Sequence, residues 1–179
     1  MKKSFLILLV LLYFKSYSQV TNRVPINDEG KVFYSEVISL ENTSKEIIYN
    51  NVKLFFADSF KSSNNVIQVD DKEAGIVLGK GNTNISIRSG KHTFKAKVDF
   101  TLKVSIKENK VKIDMYNIIY NGNTEAEVNF NTESDRRYND PKTKDYARII
   151  MDDYIDGTNN IFNELKSKLL QTFNSEDDW

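Results

Sequence analysis

Residues 94–107 have the sequence FKAKVDFTLKVSIK, in which apolar and polar side chains alternate without a break. Every even-numbered residue is apolar and every odd-numbered residue is polar. Successive side chains of a β-strand point to opposite faces of a sheet. The stretch therefore predicts a long strand with one buried and one solvated face, which is typical of an antiparallel sheet.

The residues that follow this strand predict a tight hairpin. Glu108 and Asn109 can form a two-residue turn, because asparagine tolerates a positive φ. Such a turn fixes which residues of the two strands lie opposite each other. The predicted cross-strand pairs are Val104 with Ile113, Leu102 with Met115, and Lys103 with Asp114.

The apolar phase of the second hairpin strand shifts by one residue after Met115. The register would place Phe100 opposite Asn117, an unfavourable pair, while Ile118 and Tyr120 resume the apolar pattern one step out of phase. One extra residue in one strand produces such a shift. We therefore predict a bulge or the end of pairing between Tyr116 and Ile118.

A similar shift is predicted in the preceding strand, which begins at Ile76. Its apolar residues are even-numbered at first and odd-numbered at Ile85 and Ile87. A Ser89-Gly90 turn would pair Ile87 with His92. Because glycine often marks a bulge within a strand, we predict that Gly79 or Gly81 absorbs the extra residue.

Two helices are predicted outside this strand region. Thr43 and Glu46 have the spacing of a capping box, and the helix that they begin should end near Phe60. Its apolar residues recur at helical spacing and predict one buried stripe; they are Ile48, Val52, Phe55 and Phe56.

The second helix should begin at Asp140-Pro141, with aspartate as the N-cap and proline in the first turn. Apolar residues continue at helical spacing from Ile150 to Phe173, which predicts a long helix. Gly157 weakens this helix by about 1 kcal/mol relative to alanine and is a candidate kink.

Shorter strands complete the predicted order. Residues 31–39 and 66–69 are rich in β-branched and aromatic residues, and residues 124–130 can add an edge strand. The order is strand, helix, four strands and a long helix. It predicts a two-layer α+β fold with helices on one face of an antiparallel sheet. We assign residues 31–173 to a single domain and residues 131–139 to a polar loop.

The two ends of the chain are assigned separately. Residues 1–18 combine two lysines, a ten-residue apolar run and small residues before Gln19, the pattern of a cleaved signal peptide. A transmembrane anchor is the alternative, but spanning a bilayer takes about twenty apolar residues. We therefore expect export and no membrane span after cleavage. Residues 19–30 are expected to be a lead-in, and residues 174–179 a frayed tail.

Composition excludes several classes of function. The chain has 179 residues, 25 basic and 25 acidic side chains, one histidine and no cysteine. Disulfides, thiolate metal sites and cysteine nucleophiles are therefore excluded. Removal of residues 1–18 takes away three lysines and no acid, leaving a net charge of −3. An exported acidic chain is not expected to bind nucleic acid.

Four local patterns resemble functional motifs, and each has a simpler explanation. Gly79-Lys80-Gly81 lacks the remainder of a phosphate-binding loop, and residues 70–73 lack the regular oxygen spacing of a calcium loop. Asp152-Asp153-Tyr154-Ile155-Asp156 has the spacing of a magnesium-diphosphate motif, but no second acidic motif accompanies it. His92 has no nucleophile beside it in sequence. We therefore expect no enzyme, no cofactor and no metal site. We interpret the acidic residues as solvated positions of a helix or a turn. Weak cation binding is the alternative for residues 152–156.

Lysines dominate the polar phase of the central strands and form a candidate anion-binding face. Its predicted residues are Lys95, Lys97, Lys103 and Lys112, with Lys107 and Lys110 near the turn. Such a face can bind an anionic glycan or another acidic surface. The alternative is that the lysines maintain solubility and prevent strand-to-strand aggregation.

The chain also resembles a known family. The residues that carry the resemblance are Ser44 to Asn50, the Phe55-Phe56 pair and Gly75 to Gly81. They are similar to a secreted Bacteroidota family, domain of unknown function 4468, over residues 32–115. The resemblance implies a fold like that of the TATA-binding protein and supplies no activity or functional residue.

These observations favour an exported, non-enzymatic binding or accessory module of the bacterial envelope, whose partner is an unidentified envelope protein or glycan. One alternative is a carrier that holds a small apolar ligand between the sheet and the long helix. A packed interior would oppose the carrier, since such a site needs a cavity of a few hundred Å³. A hydrolase is the second alternative, although no catalytic signature supports it.

Overall fold

The computed structural model describes residues 23–60, 66–121, 125–127 and 139–174. Within them, strands and helices follow the predicted order. The elements are β1 (Tyr34–Ser39), α1 (Lys45–Ser59), β2 (Ile67–Asp71), β3 (Ile76–Ser89), β4 (His92–Lys107), β5 (Lys110–Asn121), β6 (Glu125–Glu127) and α2 (Asp145–Asn174). The predicted strand at residues 31–39 is shorter than expected, because Val32 forms only an isolated bridge with Ile26.

The strands form one antiparallel sheet in the order β1-β5-β4-β3-β2. The short strand β6 pairs with the end of β5. The longest strands, β3 and β4, therefore lie in the interior of this order, with β4 at its centre. The predicted α+β class is confirmed, with a single sheet and two helices within the described ranges.

Both helices contribute to the single hydrophobic core on one face of this sheet. Buried residues of α1 and α2 join the inward side chains of β3, β4 and β5 in one cluster. Phe55, Phe56 and Phe100 are almost fully buried there, as predicted. The rings of Phe56, Phe60 and Phe100 form a chain of contacts, with centroids 5.7 and 6.4 Å apart, that fills the space between α1 and the sheet. The opposite face of the sheet is covered by neither helix.

The hairpin between β4 and β5 has the predicted register. Val104 pairs with Ile113 and Lys103 with Asp114, and Asn109 adopts a φ of 60° in the turn. The predicted bulge is also confirmed. The register shifts between Asp99 and Thr101, opposite Asn117, whose φ is 51°.

The predicted bulge at Gly79 or Gly81 is wrong. The β3–β4 register runs without a shift from Ile76 opposite Ser105 to Ser89 opposite His92. Val77, not Ile76, is the fully buried residue at the start of β3, and the glycines continue its inward phase. The irregularity in pairing is instead in β2, between Ile67 and Val69.

The two glycines make room for aromatic rings of α1. A Cβ atom at Gly79 would lie 2.7 Å from Cε1 of Phe56, and one at Gly81 would lie 2.5 Å from Cε1 of Phe60. Both distances are too short for non-bonded carbon atoms. The sequence pattern was therefore misread as a phase shift because the inward residues of this part of β3 have no side chain.

The predicted Ser89-Gly90 turn is displaced by one residue. Gly90 and Lys91 form the turn, so Ile87 pairs with Phe94 and not with His92. His92 begins β4 in the inward phase, as its even number predicts, but it is exposed because it lies at the end of the hairpin. Phe94 keeps the inward phase of β4 yet is 44% exposed, because it lies at the end of the hairpin.

The predicted capping box of α1 is wrong by one residue. Ser44 is the N-cap, and its hydroxyl accepts a hydrogen bond from the amide of Ile47. Glu46 forms an ion pair with Lys72, with 2.7 Å between Oε1 and Nζ. The first helical amide, that of Lys45, donates to Glu108 of the β4–β5 turn over 2.9 Å. The local cap Ser44 and the distant residue Glu108 thus each accept a hydrogen bond from an amide of the first turn.

The predicted start of the long helix at Asp140-Pro141 is also wrong. Asp140 caps a separate turn, since its carboxylate accepts a hydrogen bond from the amide of Lys142 over 2.8 Å. The helix α2 begins at Asp145 and continues through Gly157 to Asn174. A Cβ at Gly157 would lie 2.9 Å from Cγ2 of Ile85, so this glycine permits close packing of α2 on β3.

The predicted lead-in at residues 19–30 contributes to the fold where it is described. Val24 is buried in the core, and Arg23 forms ion pairs with Asp152 and Asp156 of α2. The predicted signal peptide, residues 1–18, and residues 175–179 of the predicted tail lie outside the described residues, as do residues 131–138 of the predicted loop. Neither described helix has the combination of length and apolar character needed to cross a membrane.

Candidate functional site

The candidate site is the face of the sheet opposite the helices, which we call the open face. It consists of the outward side chains of the strands, those that alternate with the buried residues of β3, β4 and β5. They include Ile76, Leu78, Lys80, Asn82, Lys95, Lys97, Asp99, Thr101, Lys103, Lys112, Asp114, Tyr116 and Ile119.

All four predicted lysines lie on the open face. Lys95, Lys97 and Lys103 project from β4, and Lys112 projects from β5 opposite Ser105. Lys97 and Lys103 are six residues apart, which corresponds to about 20 Å along an extended strand. The lysines therefore form two groups, one at each end of the face.

Two of these lysines form ion pairs on the same face. Lys97 Nζ lies 2.9 Å from Oδ1 of Asp99, and Lys112 Nζ lies 3.1 Å from Oδ1 of Asp114. Lys103 is directly opposite Asp114 in the register. The pair of Lys97 with Asp99 is partly solvated on both sides, and exposed ion pairs are worth about 1 kcal/mol or less. An anionic ligand can therefore compete with Asp99 for Lys97.

Asp114 is an unusual residue for an open sheet face, because its side chain is only 7% exposed. Its Oδ1 atom makes no hydrogen bond within the described part of the chain, although Lys112 Nζ is at ion-pair distance. Partial burial, and secondarily the charge of Asp114, raise the pKa of the neighbouring Tyr116. The Asp114 carboxylate therefore lies largely buried between Lys103 and Lys112 on the open face.

A cleft of about 530 Å³ lies between the two lysine groups. Its lining includes Lys31, Lys80, Asp99, Thr101 and Ile119. The bulge at Asn117 shapes this cleft, since it directs Ile118 and Tyr120 into the core and leaves Ile119 38% exposed. Lys80 and Lys31 thus extend the basic character of the face between Lys97 and Lys103.

Sequence analysis did not place Lys80 and Lys31 in this site. Lys80 was assigned to a bulge, whereas its position opposite Thr101 puts it on the open face. If β3 and β4 had been predicted to pair without a bulge, Lys80 would have been assigned to the open face. Lys31 precedes β1 and lines the cleft through tertiary packing alone, so no periodicity in the sequence marks it.

The aspartates at residues 152–156 of α2 form ion pairs with arginine side chains. Arg23 bonds to Asp152 and, over 3.0 Å, to Asp156, while Arg88 makes a forked contact with Asp153 at 2.5–3.1 Å. The interpretation of these aspartates as merely solvated is therefore incomplete, because Asp153 is only 9% exposed. They attach α2 to the start of the domain and to the end of β3.

Hydrogen bonds from Arg88 hold the pKa of Asp153 below its usual range. The same contact raises the pKa of Arg88. A carboxylate in this state stays charged and paired at neutral pH. Arg88 and Asp153 thus have a structural role, because their ion pair joins β3 to α2.

The remaining candidates from the sequence lie in separate places. Asp70 accepts hydrogen bonds from Tyr49 and Lys53 of α1, and the bond from Lys53 lowers the pKa of Asp70. Asp71 accepts a bond from the amide of Ala74 in the following turn. Among the described residues, no group of three or more acidic, histidine or cysteine side chains could hold a metal ion.

Comparison with known proteins places this fold in a family. The model for the family described as "domain of unknown function (DUF4468) with TBP-like fold" matches residues 34–121. The chain therefore carries a DUF4468 domain. The match begins at β1 and ends at β5, so it includes all the strands that form the open face of this DUF4468 domain.

Two solved structures share the fold of this DUF4468 domain. A DUF4468 family protein from Bacteroides ovatus is 19% identical, with a TM-score of 0.65 over 88% of this chain and 94% of the other. A TBP-like protein from Parabacteroides distasonis is 17% identical, with a TM-score of 0.58 over 83% of this chain and 97% of the other. No curated protein matches the chain. At these identities the likeness establishes the fold and not a function.

Proposed function

We propose that this DUF4468 protein is an exported, non-enzymatic binding module whose open face binds an acidic polymer, such as an anionic glycan of the bacterial envelope. The observation that carries the proposal is the lysine row on the uncovered face of the sheet. We define the lysine row as Lys80, Lys95, Lys97, Lys103 and Lys112. The row contains five positive charges, and the two aspartates paired with it offset only part of them.

The position of the row within the sheet favours binding over protection of a strand edge. Lys97, Lys103 and Lys112 lie where β4 and β5 pair with a strand on each side. Lys80 and Lys95 lie beyond the ends of the β2–β3 and β4–β5 pairing. Lysines that prevent edge-to-edge aggregation are useful on strand edges. Edge protection therefore fits the location of Lys97, Lys103 and Lys112 poorly.

The dimensions of the face favour an extended ligand. The two lysine groups are separated by about 20 Å along β4, and the cleft with Lys80 and Lys31 lies between them. A single small anion would contact one group only. A chain of several acidic units can contact both groups and the cleft together.

The carrier alternative is not favoured by the packing. Aromatic rings fill the space beneath α1, and the cleft of about 320 Å³ between α2 and the edge of β3 is lined by Asp153, Asp156 and Glu164. An apolar ligand would take these carboxylates and their ion pairs out of water without offering them a polar contact, which is costly. A polar or charged partner suits this cleft better.

No reaction is part of the proposal. His92 is exposed beside the β3–β4 turn, and it is outside the lining of the three clefts described in the structure. His92 therefore provides no histidine base to these clefts, and the hydrolase alternative draws no support from it.

Export is the second part of the proposal, and it rests on the signal-peptide pattern of residues 1–18. We expect the mature protein to begin at Gln19. Intact-mass measurement of the protein purified from its native host would test this. Retention of Met1 would contradict export through a cleaved signal peptide.

Binding is tested by titrating the mature protein with polygalacturonate, an acidic polysaccharide, and with uncharged dextran. We expect binding to polygalacturonate only, and weaker binding as salt rises from about 50 to 300 mM, because the Debye length shortens. Binding to both polymers, or to neither at low salt, would contradict the proposal.

A pair of charge-reversed variants locates the site. Lys80→Glu with Lys95→Glu should abolish binding, since both side chains are exposed on the open face. Lys142→Glu with Lys144→Glu is the matched control, because it makes the same charge change in the turn before α2. Exposed substitutions usually cost under about 0.5 kcal/mol, so both variants should fold. Equal loss of binding in the two variants would show that only net charge matters.

A further inference from the structure

The edge of β3 is a second surface, distinct from the open face. The pairing of β3 with β2 ends at Gly79, although β3 continues for ten more residues to Ser89. In the described part of the chain, no strand pairs with this side of β3 beyond Gly79. We call the stretch from Lys80 to Ser86 the β3 edge.

Every second residue of the β3 edge directs its backbone amide and carbonyl away from β4. The amide of Arg88 points to this side, because it donates to Oδ2 of Asp153 over 2.7 Å. Alternate residues of an antiparallel strand point their backbone groups to the same side. The amides and carbonyls of Lys80, Asn82, Asn84 and Ser86 therefore also face the β3 edge.

Apart from Lys80 at its start, this edge lacks the features that normally prevent strand addition. Residues 81–87 have the sequence GNTNISI, which contains no charged residue and no proline. The register of β3 with β4 contains no bulge. Natural sheets protect an exposed edge with lysine, proline or a bulge. The absence of all three from this stretch favours pairing with another strand.

Two clefts flank the β3 edge and differ in character. One, of about 550 Å³, is lined by Phe60, Val66 and residues 81–84 and contains no charged side chain. The other, of about 320 Å³, is lined by residues 83–86 together with Asp156 and Glu164 of α2, and it contains no basic side chain. Phe60 and Val66 therefore give the Gly81 end an apolar part, beside uncharged polar side chains, and acidic lining lies at the Ser86 end.

The carboxylates of the second cleft are accessible to a ligand. The side chains of Asp156 and Glu164 are 60% and 67% exposed. Their partners in the domain, Arg23 and Lys168, lie outside the cleft lining. A basic side chain entering the cleft would thus meet two solvated carboxylates.

We propose that the β3 edge binds an extended polypeptide segment as an added antiparallel strand, with a basic side chain beside Asp156 and Glu164 and an apolar side chain beside Phe60 and Val66. Strand addition of this kind derives affinity from the backbone and specificity from alternate side chains. All described strand pairs of the sheet are antiparallel, so we assign the added segment an antiparallel direction relative to β3. Its N-terminal part then lies at the Ser86 end of the β3 edge. The basic residue then precedes the apolar residue by four positions.

The test uses a blocked nine-residue peptide of serine and threonine with arginine at position 3 and leucine at position 7. Its affinity for the mature protein is measured by fluorescence anisotropy. One comparison peptide exchanges the two residues, and another replaces arginine with glutamate. We expect both to bind at least about tenfold more weakly, because each loses a cleft contact. Equal affinity of the three peptides, or no binding of the first at millimolar concentration, would overturn the proposal.

Substitutions at Asn84 separate backbone pairing from side-chain effects. Asn84→Pro removes an edge donor without touching the bonds to β4, a position at which proline is tolerated in strands. It should abolish binding of the arginine–leucine peptide. Asn84→Thr retains the amide and should bind within about twofold of the original protein. Undiminished binding by the proline variant would overturn the assignment to the β3 edge.

A charge reversal remains informative if the proline variant does not fold. Glu164→Lys changes an exposed residue of α2, and it should weaken binding of the arginine peptide and strengthen binding of the glutamate peptide. Unchanged preference between the two peptides would overturn the proposed orientation. A Lys95→Glu, Lys97→Glu variant changes only open-face lysines of β4 and leaves β3 intact. Loss of polygalacturonate binding with unchanged peptide binding in this variant therefore distinguishes the two proposals.

Discussion

At the scale of single residues, Gly81 shows how the sheet admits the rings of α1. A methyl group there would lie 2.5 Å from Phe60 and 2.8 Å from Phe100. Gly81→Ala should lower the free energy of unfolding by about 1–3 kcal/mol through overpacking. Chemical denaturation is the measurement, and the outward neighbour Asn82→Ala is the control. An equal effect of the two substitutions would contradict the packing described.

Phe100 and Phe94 allow a matched comparison within one strand and one phase. Phe100 is 4% exposed and Phe94 is 44% exposed. Phe100→Ala should cost about 3–5 kcal/mol, as is typical of buried aromatic residues. Phe94→Ala should cost less than about 1 kcal/mol. Denaturation curves of the two variants check the expectation, and a loss below 1 kcal/mol at Phe100 would be inconsistent with its position in the core.

Asn117 holds the bulge that shapes the open-face cleft. Its φ of 51° is accessible to asparagine and glycine but strained for a β-branched residue. Asn117→Val should therefore cost about 1–3 kcal/mol, whereas Asn117→Gly should change stability little. Thermal unfolding of both variants distinguishes backbone strain from loss of the side chain. Equal losses would argue against strain as the cause.

At the scale of elements, the attachment of α2 to β3 depends on the pair formed by Arg88 and Asp153. Because hydrogen bonds from Arg88 lower the pKa of Asp153 in the folded protein, the charged carboxylate stabilises the fold above the pKa of an unfolded aspartate, about 4. That contribution is lost as the pH falls through the lower folded pKa.

Asp153→Asn should therefore destabilise the protein at pH 7 and have a much smaller effect at pH 2–3. Urea denaturation at the two pH values gives the comparison. Asp58→Asn, at an exposed position of α1, is the control and should show no such pH dependence. A loss of stability for Asp153→Asn that is the same at both pH values would indicate packing and not charge.

The success of sequence-based prediction differed between elements for physical reasons. The strand at residues 94–107 and its hairpin were predictable, because strict alternation and a turn asparagine fix both face and register. The N-cap of α1 was predicted one residue too early, at Thr43 in place of Ser44. The contact of its first amide with Glu108 was not predictable, since Glu108 comes from a hairpin more than sixty residues away. The phase of β3 was misread because its inward residues, Gly79 and Gly81, carry no apolar side chain.

At the scale of the whole molecule, the candidate site was predictable only in part. Alternation placed Lys95, Lys97 and Lys103 on one face, and the predicted hairpin register added Lys112. Lys31 joins them through the packing of the segment before β1, which no local pattern encodes. The β3 edge depends on how far β2 extends, and strand lengths are set by tertiary pairing rather than by composition.

The central claim is that the open face, and not the helical side of the molecule, binds an acidic polymer. The most direct measurement is an NMR titration of the ¹⁵N-labelled mature protein with oligogalacturonate at low salt. Amide shifts should change for Lys80, Lys97, Thr101 and Lys103, and should stay constant for the outer side of α2, including Lys168. Changes confined to the helices, or no changes at millimolar ligand, would contradict the account.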